Sequence, residues 1–259
     1  MFFLLRIYYN PDQDILQAIM IRNIRKSVSV KVRFFVLKGI VLLFMLIGFQ
    51  GYAQTEGERI PLPEPRHGGD VSLERAIYER RSVRSFKDSS LRFEQLSQIL
   101  WAASGKTIDG ITGASRSAPS AGGLYPLEFF AVVGSVEDLK PGIYRYSWKD
   151  HSVRMEKEGD LRVELARAAL HQRFIQDAPL VIVITAVYER TAQKYGRRGS
   201  SRYVYVDAGH AAQNIFLQTV ALDLGTVVVG AFMDNEVKKL LNLGDEEPLL
   251  IMPIGSPSR

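Results

Sequence analysis

The chain has 259 residues, 46% hydrophobic and 24% charged, which fits one or two ordinary globular domains. Its formal net charge of +5 belongs to the leader: residues 1–53 hold seven Lys/Arg against two Asp/Glu, and residues 54–259 hold 26 of each, so the body offers no basic stripe to nucleic acid. The absence of cysteine excludes disulfides, zinc–cysteine sites, iron–sulfur clusters and cysteine nucleophiles.

The leader reads as an export signal. Arg22, Arg25, Lys26, Lys31, Arg33 and Lys38 precede an uncharged apolar stretch of eleven residues, Gly39 to Phe49. Gly51 and Ala53 then supply small residues at −3 and −1 of a cleavage site before Gln54. This places the mature protein in the periplasm or outside the cell. Left uncleaved, residues 1–53 would serve as an N-terminal membrane anchor, although eleven residues are short for a span. Residues 54–70, with Pro61, Pro63, Pro65, Gly68 and Gly69, predict an extended linker. Residues 71–259 predict one domain without repeats.

Within that domain, Ser72 can cap a helix running to about Arg80, with Leu73, Ala76 and Ile77 on one face. Ser90 or Arg92 opens a second, with the stripe Leu96, Ile99, Leu100 and Ala103 and a stop at Gly105. Residues 106–118 read as a polar loop. Leu127–Val133 predicts a strand, and Gly142–Ser147 with Ser152–Glu156 a hairpin. Asp160 predicts a cap for a helix to about Leu170, and the β-branched run Leu180–Val187 a buried strand. Lys194-Tyr195-Gly196 falls in a connecting loop. Asp207 predicts the cap of a long helix to about Leu222, buried around much of its circumference by Ala208, Ala211, Ala212, Ile215 and Phe216. Thr226–Phe232 predicts a strand, Asp234 a cap for a helix to Leu241, and Leu249–Ile254 the last strand. Helices and strands mix without a βαβ rhythm, so the predicted fold class is α+β.

The segment Ser117-Ala-Pro-Ser-Ala-Gly-Gly-Leu-Tyr-Pro126 carries the clearest chemical signal. Two prolines and two glycines in ten residues make a shaped loop with bare backbone N–H groups, suited to a flat or anionic ligand. Arg80, Arg81 and Arg84 at a helix end read either as a solvated basic terminus or, with Ser82, as a phosphate clamp. Lys194 and Tyr195 read either as loop surface or as a proton-moving pair beside a redox cofactor. No two of His67, His151, His171 and His210 have metal-ligand spacing, so no metal site is predicted, and His210 reads as a core histidine. Ser120 lacks the context of a hydrolase nucleophile, and Gly122-Gly123 precedes a strand instead of opening a dinucleotide-binding helix.

Seven ordered stretches, Arg80–Phe86, Ser117–Val133, Pro141–Tyr146, Lys194–Gly196, Asp207–Gly225, Val229–Phe232 and Pro253–Gly255, resemble the nitroreductase-like flavoprotein family and its SagB-type branch in particular. The resemblance covers about residues 71–259. It implies a mixed sheet flanked by helices, an intimate homodimer, and one FMN in each of two interface sites. By resemblance, Arg80, Arg81, Ser82 and Arg84 match the segment holding the FMN phosphate and ribityl chain. Pro119, Ser120, Ala121 and Gly122 match the loop reaching the flavin from the partner chain. Gly230 and Ala231 match the turn at the reactive N5 edge, and Arg259 a C-terminal phosphate-binding arginine. General nitroreductases carry an asparagine where this chain has Gly123, which suits the SagB-type branch. Lys194 and Tyr195 resemble the Lys–Tyr pair of azoline dehydrogenases, with Gln193 where those enzymes have leucine. The implied activity is FMN-dependent oxidoreduction of a small molecule or peptide, with NAD(P)H a candidate donor. An exported flavin relay without its own small-molecule substrate is the alternative.

Overall fold

A computed structural model describes residues 59–110 and 113–258. The expected leader and its cleavage site lie outside the described residues, as does Arg259. Seven strands form one sheet: β1 (Arg59–Pro61), β4 (Leu127–Val133), β5 (Gly142–Ser147), β6 (Ser152–Glu158), β7 (Leu180–Ala186), β8 (Gly225–Thr226) and β9 (Glu247–Gly255). Their order is β1-β6-β5-β4-β7-β9-β8, and every ladder is antiparallel. Parallel pairing is confined to isolated bridges such as Ser82 with Thr226. A separate hairpin joins β2 (Lys106–Gly110) to β3 (Gly113–Arg116). The helices are α1 (Leu73–Glu79), α2 (Phe93–Ser104), α3 (Arg162–Ala168), α4 (Phe174–Asp177), α5 (Tyr188–Arg198), α6 (Val204–Ala221) and α7 (Asp234–Leu241).

The α+β expectation holds, and the period-2 geometry of the strands explains its layering. In β4, Phe129, Ala131 and Val133 face one side with Leu180, Ile182 and Ile184 of β7, under Leu96, Ile99 and Leu100 of α2 and Ala208, Ala211 and Ile215 of α6. The alternate residues Phe130, Val132, Val181 and Val183 face the other side, under Leu165 of α3, Ile175 of α4 and Val237 and Leu241 of α7. Both faces are therefore buried in the central strands, and each large aliphatic or aromatic side chain so placed stabilises the fold by about 1.5–3 kcal/mol.

Several local expectations are corrected. Residues 59–61, assigned to the linker, pair with β6, and Leu62 is buried beyond them. Prolines hid this strand, yet an edge strand tolerates residues without a free N–H. Lys106–Gly110 and Gly113–Arg116, read as part of a polar loop, pair as two antiparallel strands. Trp101 Nε1 donates to the Lys106 carbonyl at their base. Of Thr226–Phe232, only Thr226 belongs to a strand, followed by a single bridge between Val229 and Ile251, so the backbone at Gly230 and Ala231 stays exposed. Lys194 and Tyr195 lie on a helix: Glu189, Arg190, Ala192 and Gln193 are good helix formers, and only Thr191 is buried. Asp160 and Asp234 miss the cap position by one residue, the caps being Leu161 and Met233. Between Ser90 and Arg92, the second is the N-cap of α2, where its N–H donates to Gln95 Oε1 at 2.9 Å.

Asp207 is not a cap either. The long helix begins at Val204, after a π-turn over Gly199–Tyr203, and Asp207 is buried in its first turn. Val204, Ala208, Ala211, Ala212, Ile215 and Phe216 form the buried side, whereas Tyr205, Val206, Gly209, His210 and Gln213 are exposed. None of the helices among the described residues is long and apolar enough to cross a membrane.

Candidate functional site

The loop after β3 is held by three anchors. At its base, Asn214 Nδ2 donates to the carbonyls of Ala102 and Ser117, both at 3.1 Å, and the Ser117 hydroxyl donates to Ala102. At its centre the Ser120 hydroxyl donates to Asp207 Oδ2 at 2.5 Å, and the Ala121 N–H donates to Asp207 Oδ1 at 3.2 Å. Ser120 Oγ in turn accepts the Tyr125 N–H at 2.9 Å. Gly122 and Gly123, at φ +64° and +68°, supply the left-handed turn between these anchors. Burial pushes the Asp207 carboxyl above the ordinary aspartate range, and the bonds from Ser120 and Ala121 oppose that shift.

The third anchor is a stack. The Arg116 guanidinium lies between the rings of Tyr125 (4.3 Å) and Trp148 (4.1 Å), a double cation–π contact. Burial lowers its pKa to about 10. Arg190 completes the frame, donating to the Tyr125 carbonyl at 3.2 Å and pairing with Glu128 at 2.6 Å.

The structure brings the Lys–Tyr pair onto this loop. A Cβ placed on Gly122 would lie 2.6 Å from the Tyr195 hydroxyl and 3.0 Å from Lys194 Nζ. Thus α5 lays two proton-bearing groups across the loop's apex, where only glycine leaves room for them. Lys194 Nζ sits 5.4 Å from the centre of the Tyr195 ring, whose edge contacts Tyr203 at 5.1 Å. Directly after the pair, Gly196 breaks the helix at φ 56°, ψ −149°.

The arginine cluster occupies a different place. Residues 82–87 run beside Thr226 and the C-terminal residues 256–258: Val83 N donates to the Thr226 carbonyl, Lys87 N to Ser256, and Ser258 N to Ser85. Arg80 lies over the Phe216 ring at 5.1 Å. Arg81, Ser82 and Arg84 are exposed, and among the described residues no carboxylate pairs with these arginines. A cavity of about 420 Å³ opens beside Arg81, lined also by Val83, Phe216 and Gly225. A second, apolar groove of about 330 Å³ runs along α6 where its exposed and buried sides meet, past Gly209, Ala212, Phe216 and Val228. At Gly230 an added Cβ would meet nothing within 4 Å, and the Ala231 carbonyl accepts from Gln172 Nε2 at 2.9 Å.

Apart from Gly230 and Ala231, beside Gln172, the described residues among those predicted therefore form two sets within one chain. Pro119–Gly122 with Lys194 and Tyr195 attach to the N-terminal part of α6 at Asp207, and the Arg80–Arg84 set attaches at Phe216. Nine residues separate these points, about 14 Å of helix. His210 is exposed, not core, with Nδ1 3.4 Å from the Pro119 carbonyl oxygen. Asp207, Asn214, Arg116 and Tyr125 are not among the predicted site residues: Asp207 reads as a helix cap, and the other three carry no spacing signal. Their role emerges only when loop and helix meet. A further cavity, of about 770 Å³, is lined by His67, Trp101, Ile108, Trp148 and His151, none of them a predicted site residue.

A family model described as the nitroreductase family matches residues 77–256. A protein of Methanocaldococcus jannaschii described as a candidate nitroreductase is 45% identical over 186 residues, covering 72% of this chain and 91% of that protein. Among solved structures, a candidate nitroreductase of Ralstonia eutropha superposes with a TM-score of 0.66 at 29% identity, over 80% of this chain and 93% of that one. An NADPH:FMN oxidoreductase from Vibrio harveyi, solved with NAD+, shares the fold with a TM-score of 0.52 at 22% identity, over 72% of this chain and 70% of that one.

Proposed function

The chain belongs to the nitroreductase family, and from that premise we propose that it is an exported FMN-dependent oxidoreductase of the SagB-type branch, working as a homodimer. The observation that carries the proposal is the meeting of Lys194, Tyr195 and Gly122: two groups that can move protons lie at the apex of a loop whose shape is fixed by a buried carboxylate.

The residues present fit FMN. Arg81, Arg84 and Ser82 are exposed without a carboxylate partner, so they can donate to a phosphate. Gly230 and Ala231 leave exposed backbone for a flat ring. The FMN named in the Vibrio harveyi relative supports the choice of cofactor. Bound FMN would supply hydride transfer; the protein supplies placement and electrostatics.

The two sets support a two-chain site. The loop and the arginine cluster attach at different points of α6, and the exposed side of that helix, with Tyr205 and Val206, is free to meet a second copy. Apolar Leu73, Ile77 and Tyr78 on α1 are also exposed, as a surface that packs against a partner would be. A dimer would let residues 119–122 of one chain face Arg80, Arg81, Ser82 and Arg84 of the other.

In this reading Lys194 and Tyr195 hold or deliver a proton at a heteroatom of a small-molecule or peptide substrate. Asp207 acts through Ser120 and Ala121 and is a positioning residue. Turnover is ping-pong, with a reductant such as NAD(P)H and the second substrate visiting in turn. The visible spectrum of the purified chain tests the proposal. Expected is a yellow protein releasing one FMN per chain on denaturation; a colourless preparation that takes up no added FMN overturns it.

A further inference from the structure

The stretch from Arg190 to Val206 contains five cations, Arg190, Lys194, Arg197, Arg198 and Arg202, and no acid. This is a local excess, since residues 54–259 hold equal numbers of each sign. Arg190 is committed internally, to Glu128 and the Tyr125 carbonyl. Among the described residues the other four make no ion pair, and all four are exposed. The nearest acids in sequence do not neutralise them: Glu189 is exposed before the stretch, and Asp207 is occupied by Ser120 and Ala121.

The backbone keeps this segment close to the helix that carries the Lys–Tyr pair. Gly199 approaches the Thr191 carbonyl so closely that an added Cβ would lie 2.6 Å from its oxygen, which packs the turn after α5 against that helix. Tyr203, the residue after Arg202, packs its ring edge-on with that of Tyr195, centroids 5.1 Å apart. Crowded like charges repel and destabilise a free segment. Left unneutralised, they raise the local concentration of an anion.

We propose that Arg197, Arg198 and Arg202, with Lys194, bind the carboxylate or phosphate of an anionic substrate of the Lys194–Tyr195 site. The inference rests on the reading of that site as catalytic. It narrows the substrate class to molecules carrying an anionic group within reach of the reacting atoms.

Equilibrium dialysis of the full chain against 4-nitrobenzoate and its neutral near-isostere 4-nitrobenzamide tests this, with flavin content measured on the same preparations. The wild type should bind the carboxylate about tenfold more tightly than the amide, the scale of one charge-assisted hydrogen bond. The advantage should shrink as salt is raised. The combined R197S, R198S and R202S variant should lose it while binding the amide and retaining flavin as the wild type does. A variant with lysine at the same three positions should keep it. Equal binding of the two probes by the wild type, or an undiminished preference in the serine variant, overturns the proposal whether or not the protein is yellow. So does a serine variant that loses only binding to anionic phospholipid vesicles. A colourless chain that still prefers the carboxylate sinks the FMN reading alone.

Discussion

Ser120 and Asp207, 87 residues apart, meet at 2.5 Å, hydroxyl to carboxylate, and the same carboxylate takes the N–H of Ala121. One buried side chain of α6 thus sets the backbone of the glycine loop. Replacing Asp207 with alanine leaves both donors unsatisfied at a buried position, and a loss of about 1–3 kcal/mol is expected in urea denaturation. The pH dependence has a definite sign. Because burial raises the folded-state pKa of Asp207, its contribution is full below the ordinary aspartate value of about 4 and is lost as pH rises through the raised value. D207N, which does not titrate, should show a flatter stability profile across that window; parallel profiles refute the assignment.

His151 runs the other way. It is half-buried: Nε2 lies 2.8 Å from the Ser97 hydroxyl and 3.1 Å from the Pro63 carbonyl oxygen, and Nδ1 lies 2.9 Å from the Tyr146 hydroxyl. Burial lowers its pKa against the opposing pull of the Pro63 carbonyl, Glu64 and Asp150. Its contribution is therefore present above the ordinary histidine value of about 6.5 and lost as pH falls through the lowered one. Thermal melts at pH 7.5 and 5.5 should show a larger drop for the wild type than for H151N.

Arg84 probes the phosphate set. R84A should weaken FMN binding about tenfold or more, the loss of a charged hydrogen bond worth about 1.5–3 kcal/mol. Unchanged affinity in a flavin titration would reduce the cluster to a solvated helix end.

Lys194 and Tyr195 lie outside the residues assigned to FMN. Replacing both by alanine should leave flavin content intact and lower turnover by about 10²-fold, the usual scale of general acid–base help. Reduction of the flavin by dithionite should be unchanged.

Sedimentation velocity checks the assembly. A dimer retaining FMN on dilution is expected; a monomer with full FMN occupancy would remove the two-chain site.

What could be read in advance followed local chemistry. The strands 127–133 and 142–147 were placed to the residue because their apolar runs end at turn-forming residues. The Ser72 cap is also as expected, its hydroxyl accepting from the Arg75 N–H at 3.1 Å. Errors came where tertiary contacts overrule local appearance. A carboxylate before an apolar run looks like a cap, yet Asp207 is a turn inside its helix because the loop 86 residues earlier supplies its hydrogen bonds. The helix carrying Lys194 looks like a loop because nearly all its side chains face outward. The arginine cluster, the glycine loop and the Lys–Tyr pair are expectations drawn from resemblance; the frame of Arg116, Tyr125 and Asn214 has no local signal, since its members meet only in three dimensions.

The pairing of Arg59–Pro61 with β6 has a practical consequence for anyone expressing this protein. A fragment begun at residue 71, the boundary that composition suggests, would strip the cover from an outer strand seven residues long and leave its N–H and C=O groups open. Such a bare edge recruits other chains edge to edge. The shortened fragment should precipitate or form open-ended oligomers, whereas one that keeps Arg59–Pro61 ahead of Leu62 should stay dispersed.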